Sequence, residues 1–108
     1  MTPKDFVECF FQEKQSMLAD YLRTPPTTTV GQKIASLEVG SSQKARLAEI
    51  LDDVLTDAFY TVLLGLDGEA RIGGTQQPFK LYDEGGTLLT DGGEIEAAAW
   101  ERFHGGRR

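Results

Sequence analysis

Apolar residues recur at helical spacing in the first two thirds of the chain, and the period breaks near Gly68. Phe6, Cys9, Phe10, Met17, Leu18 and Tyr21 lie close to one stripe at 3.6-residue spacing, with Glu13 at its edge. Thr2 is placed to cap that helix. Pro3 suits its first position, and Asp5 completes a capping box with Asp in place of the usual Glu. Lys4, Glu8, Gln12 and Gln15 are expected to face outward, and Pro25-Pro26 requires the helix to stop by Thr24. Residues 30–40 are ambiguous: Val30, Ile34, Leu37 and Val39 suit a short amphipathic helix ending at Gly40.

The clearest element follows. Ser41 or Ser42 is placed to cap a long helix. Its apolar face comprises Leu47, Ile50, Leu51, Val54, Leu55, Ala58, Phe59, Val62 and Leu63. Glu49, Asp52, Asp53, Thr56, Asp57 and Tyr60 fall on the opposite face, and Gly65 and Asp67-Gly68 supply the stop. Beyond Gly68, Glu69–Ile72 reads as a short strand closed by Gly73-Gly74. Phe79, Leu81, Leu88 and Leu89 flank Asp83-Glu84-Gly85-Gly86 as a hairpin. Gly92-Gly93 then precedes a last helix, Glu94–Phe103, whose apolar face is expected from Ala97, Ala98, Trp100 and Phe103. The predicted fold is α+β. Two long amphipathic helices and a short C-terminal helix pack with a small antiparallel hairpin or three-stranded sheet.

Length and composition add bounds. The 108 residues fit one domain, with 1–104 as ordered core and 105–108 as a flexible tail. No apolar run approaches the roughly 18 residues needed to cross a bilayer, and the N-terminus lacks the pattern of a signal peptide. A cytoplasmic location is therefore expected. The formal net charge is -6, which argues against phosphate-backbone binding and so against a nucleic-acid partner. One cysteine cannot form an internal disulfide or a cysteine-based zinc site. Cys9 reads as core packing, and a Cys9–His104 dyad has no spacing motif behind it.

The acidic residues are unevenly placed. Leu47–Ala70 holds Glu49, Asp52, Asp53, Asp57, Asp67 and Glu69 without a basic residue. Leu81–Glu101 holds Asp83, Glu84, Asp91, Glu94, Glu96 and Glu101, again without one. Glu49, Asp53 and Asp57 at i, i+4 spacing offer oxygen ligands for a divalent metal, the basis of a metal-dependent hydrolase or ligand-binding reading. No Glu-x-x-His or His-x-x-x-His pattern supports them, and a solvated acidic helix face explains them more simply. No metal or other cofactor is assigned. The glycine pairs match neither a dinucleotide nor a P-loop pattern, and their neighbours are carboxylates that would repel phosphate. Turn geometry accounts for them.

The stretch Val54–Gly74 followed by Phe79–Gly86 resembles a group of small bacterial proteins of uncharacterised function. In size and acidity the chain is also similar to immunity proteins of bacterial toxin systems. That likeness implies a protein that covers the active site of a toxin, and it assigns no residue. The expected function is a non-enzymatic domain that binds a basic protein. Glu49, Asp52, Asp53 and Asp57 supply charge, Tyr60 an aromatic anchor, and Asp83 and Glu84 secondary contacts. A dimer through apolar faces is a further reading, since it would bury more surface than a small domain can alone.

Overall fold

The computed structural model describes residues 1–105 and contains four helices, α1 (Pro3–Tyr21), α2 (Thr29–Ser36), α3 (Ser41–Leu66) and α4 (Glu94–His104). The start of α1 follows local chemistry. Thr2 Oγ1 accepts the Asp5 N–H and the Asp5 carboxylate accepts the Thr2 N–H, so two otherwise unpaired donors are satisfied. These bonds hold the Asp5 carboxyl below its ordinary range. α2 resolves the ambiguous region as a helix two turns long, with Thr28 accepting the Gly31 N–H. α3 begins one residue earlier than serine capping implies. Gly40 is its N-cap, and the Gln43 side chain accepts the Gly40 N–H.

α1, α3 and α4 pack against one another in a three-helix bundle, and α2 rests on α1. Paired contacts fix the directions. Phe10 meets Phe59 while Lys14 meets Asp52, so α1 and α3 are antiparallel. Glu8 meets Arg102 and Phe11 meets Phe103, so α1 and α4 run the same way. Tyr60 meets His104 while Asp67 meets Glu96, which makes α3 and α4 antiparallel. The core is built from Val7, Leu63, Leu89, Ile95, Ala99 and Phe103, lined by Phe6, Phe10, Phe11, Phe59, Tyr60, Leu64, Leu81 and Ala98.

The α+β expectation is wrong. Among the described residues there is no sheet, only two isolated bridges, Ile72–Thr75 and Tyr82–Leu88. Glu69–Ile72 forms no strand, and the hairpin reduces to a turn. Asp83 N–H donates to Thr87 O and Leu89 N–H to Leu81 O. The Thr90 hydroxyl donates to the Phe79 carbonyl and accepts the Leu81 N–H, which closes the loop. Two short arms cannot build a sheet without a third strand and a shared apolar face. Leu81 and Leu89 instead fold back onto the helices, so the segment's apolar residues serve a helical core. Gly68 makes the reversal out of α3 at φ 78°, where a Cβ would lie 2.9 Å from Pro78 Cα.

Within the helices, three buried faces differ from the periodic reading. On α1, Val7 and Lys14 are buried and Cys9 is exposed, so the cysteine is not core packing. α1 is wedged between two helices. Its buried line runs between the Phe10 edge facing α3 and the Phe11 edge facing α4, which turns Cys9 to the outside. On α4 the buried residues are Ile95, Ala99 and Phe103, while Ala97 and Trp100 face solvent. On α3, Thr56 is fully buried whereas Ile50, Val54 and Val62 are exposed. Gly105 caps α4, and the remainder of the expected tail, 106–108, lies outside the described residues.

Candidate functional site

The residues of the acidic face do not share one fate. Lys14, only 5% exposed, sends its ammonium across to α3. There it donates to Asp52 Oδ1 at 2.7 Å and to Thr56 Oγ1 at 3.1 Å. The same ammonium lies 5.0 Å from the Phe11 ring centroid and 5.9 Å from that of Phe103. A buried cation needs this degree of pairing, because an unpaired one would carry a large desolvation cost. Asp52 is thereby committed to holding α1 against α3. Glu49 pairs with Arg46 on the helix surface at 3.2 Å. Asp53 and Asp57 are exposed on the side of α3 that leads toward Tyr60.

Asp83 and Glu84 stand apart from this group. The Asp83 carboxylate receives the N-terminal ammonium at 3.1 Å and the Thr87 N–H at 2.8 Å, and these bonds hold it below the ordinary range. Met1 and Lys14 stand at opposite ends of a stretch of α1 on the order of 17 Å long. The two acidic stretches therefore do not merge into one surface at Asp52. Glu84 is exposed at the loop tip.

Tyr60 is half-buried and meets the His104 ring edge-on, with centroids 4.5 Å apart. His104 in turn lies 5.3 Å from Trp100, whose side is 46% exposed. Burial, then the nearby Glu96 charge, raises the Tyr60 hydroxyl above its ordinary range. Trp100 was expected in the core of the last helix. Its exposed position one turn before His104, at the margin of the buried line, is legible only once Ile95, Ala99 and Phe103 are known to point inward. Together Tyr60, His104 and Trp100 form an aromatic patch where α4 ends against α3, with Asp57 and Asp53 on the next turns of α3.

A second polar feature ties α3 to α4. Gly93, the N-cap of α4, has no side chain to offer. Asp67 supplies the missing acceptor by receiving the Glu96 N–H at 2.9 Å, a carboxylate at the positive end of the helix. The Glu96 side chain then sits near Glu69 and Asp67. Partial burial and those like charges raise it above the ordinary carboxylate range.

Little else has the form of a reaction centre. Among the described residues no group of three or more His, Cys, Asp or Glu side chains is placed to hold a metal ion. A cleft of about 380 Å³ lies between α1 and α4, beside Lys4, Glu8, Ala97 and Arg102. Two of its charged groups, Glu8 and Arg102, are matched to each other. Arg102 forks onto Glu8 at 2.7 and 3.1 Å and stacks 3.8 Å from the Phe11 centroid. Arg102 and Gln12 hold the Glu8 carboxyl below its ordinary range. Among the described residues no helix is long and apolar enough to cross a membrane. No protein-family profile, curated protein or solved structure matches the chain.

Proposed function

We propose that this protein is a non-enzymatic binding domain that docks a basic partner protein through the aromatic patch and the carboxylates beside it. The observation that carries the reading is the half-exposed indole of Trp100 next to Tyr60 and His104. Exposed tryptophan is uncommon and contributes heavily to interfaces when a partner desolvates it. Asp53, Asp57 and Glu49 give the flank of this patch a negative potential, which favours encounter with a cationic surface and disfavours acidic partners. Asp52 has a structural role through Lys14, and Asp83 and Glu84 lie at a separate end. A cytoplasmic immunity-type inhibitor that covers a basic toxin is the most concrete form of this function.

The test begins with affinity capture from source lysate at low and high salt, followed by titration of the purified candidate partner. A basic partner should bind with an affinity that falls as salt rises. Trp100→Ala should weaken it by about 30-fold, the scale of a hot-spot residue. Asp53→Lys with Asp57→Lys should slow association and flatten the salt dependence. An affinity unmoved by all three changes would remove the reading.

A further inference from the structure

A different face of α3 supports a separate inference. Ile50 is 52% exposed and Val54 55%, and Ala58 continues the same line one turn further on. Leu47 and Leu51 border it and are only partly covered. These residues occupy the arc of α3 directed away from α1 and α4, because the bundle contacts are made by Asp52, Thr56, Phe59, Tyr60 and Leu63. A contiguous apolar row on a 26-residue helix is not the scattered exposure expected of an ordinary surface.

We propose that this row is a self-association surface, on which α3 pairs antiparallel with α3 of a second copy. The charges beside it select that occupant and that direction. Arg46, Asp53 and Asp57 project along one flank of the row, with the basic residue toward the N-terminal end and the acids toward the middle. In an antiparallel pair about a two-fold axis, the same flank of each helix faces its counterpart. Centring the axis near residue 52 sets Ile50 opposite the partner's Val54. It also brings Arg46 beside the partner's Asp57, twice by symmetry. A parallel pair would instead set this charged flank against the partner's opposite flank, the side of Leu51 and Ala58, and would leave Arg46 and Asp57 without a cross-helix partner.

The overlap from residue 43 to 61 is roughly 28 Å of helix. That is a small interface, in the class below about 1,200 Å² in total, so association is expected to be reversible and concentration-dependent. Arg46 is now held by Glu49 on its own helix, but both side chains are well exposed and the pair can exchange at little cost. The apolar row does not include Trp100, although Asp53 and Asp57 flank both surfaces, so Trp100→Ala should leave self-association untouched.

Sedimentation velocity of the full chain across a hundredfold concentration range tests the proposal. The wild-type protein should shift from monomer toward dimer as concentration rises. Val54→Asp, or independently Ile50→Asn, should raise the dissociation constant at least 30-fold while the circular dichroism spectrum stays helical. Arg46→Asp alone should weaken association, and Arg46→Asp combined with Asp57→Arg should restore it, because the exchange keeps the cross-pair. A wild-type protein that stays monomeric throughout would overturn the proposal, as would a dimer insensitive to both Val54→Asp and Ile50→Asn. A dimer that Val54→Asp dissolves but that the charge exchange does not rescue would overturn the antiparallel register.

Discussion

The two sides of α3 invert the usual arrangement. Facing the bundle, Asp52 and Thr56 meet the Lys14 ammonium in a seam where Thr56 is wholly buried. Facing away, Ile50 and Val54 stand in solvent. The apolar arc of α3 is wider than the groove between α1 and α4 can cover. Which part of that arc goes inside is then decided at the contacts. Phe59 and Leu63 lie on the same strip of the helix as Asp52 and Thr56, so apolar packing and the polar seam set the rotation together. Turning α3 to bury Ile50 and Val54 would pull Asp52 and Thr56 from Lys14, leaving a buried ammonium unmatched. The same turn would also draw Phe59 and Leu63 out of the core, so the loss of buried apolar area and the cost of an orphaned charge oppose it together.

The contrast can be tested along the helix, beginning where the loss should be greatest. Leu63→Ala removes a fully buried side chain and should cost about 2–5 kcal/mol in urea unfolding. Lys14→Ala should cost about 3 kcal/mol, since it removes two charge-assisted bonds and the packing of the stem. Lys14→Met should recover at least half of that loss, because Asp52 is partly exposed and can be hydrated once alone. If Lys14→Ala proves neutral, the seam does not set the rotation. Thr56→Val keeps the shape and deletes the hydroxyl, for an expected loss of about 1 kcal/mol.

Glu96 extends the same question to the α3–α4 contact. Its folded carboxyl is raised, so the folded state keeps a proton where the unfolded chain has released it. Its contribution to stability is therefore full below the ordinary carboxylate range and is lost as pH rises through the raised value. Glu96→Gln should match wild type near pH 3 and be the more stable protein at pH 7, as read from parallel unfolding curves. Asp5, Glu8 and Asp83 act in the opposite sense, their contributions falling away as pH drops through their lowered values. They are unchanged in the variant and cancel in the difference. The smallest effect belongs to the outer face. At a concentration that keeps the protein monomeric, Val54→Ala should alter stability by less than about 0.5 kcal/mol, with a gain favoured because alanine is the better helix former.

Much of the helical framework was legible beforehand. The capping box of Thr2 and Asp5, the proline stop and the length of α3 depend on neighbours a few residues apart. Local rules therefore reach them. The glycine turns were legible for the same reason, and Gly68, Gly73, Gly74, Gly86, Gly92 and Gly93 all adopt positive φ. The strands between them were not real. An alternating apolar pattern says that a residue is buried on one side, but not whether a strand or a helix covers it. For Leu81 and Leu89 the cover is helical. Of the candidate site, the exposed positions of Glu49, Asp53, Asp57 and Glu84 could be read from charge alone. The loss of Asp52 and Asp83 to internal pairing could not, because their partners lie 38 and 82 residues away.

The sequence by itself determined the start of α1, the stops of α1 and α3, the excess of acid, and the breadth of the apolar arc on α3. Each of these is set by composition or by bonds within a turn or two. Only the tertiary structure decided which residues of each arc face inward. It put Lys14 and Thr56 inside, left Ile50, Val54 and Trp100 in water, and turned a would-be sheet into loops pinned to a helical core. The physical reason is that burial is a property of a surface and its partner together. A periodic pattern specifies the surface, while the partner's shape and charge select the side that is used.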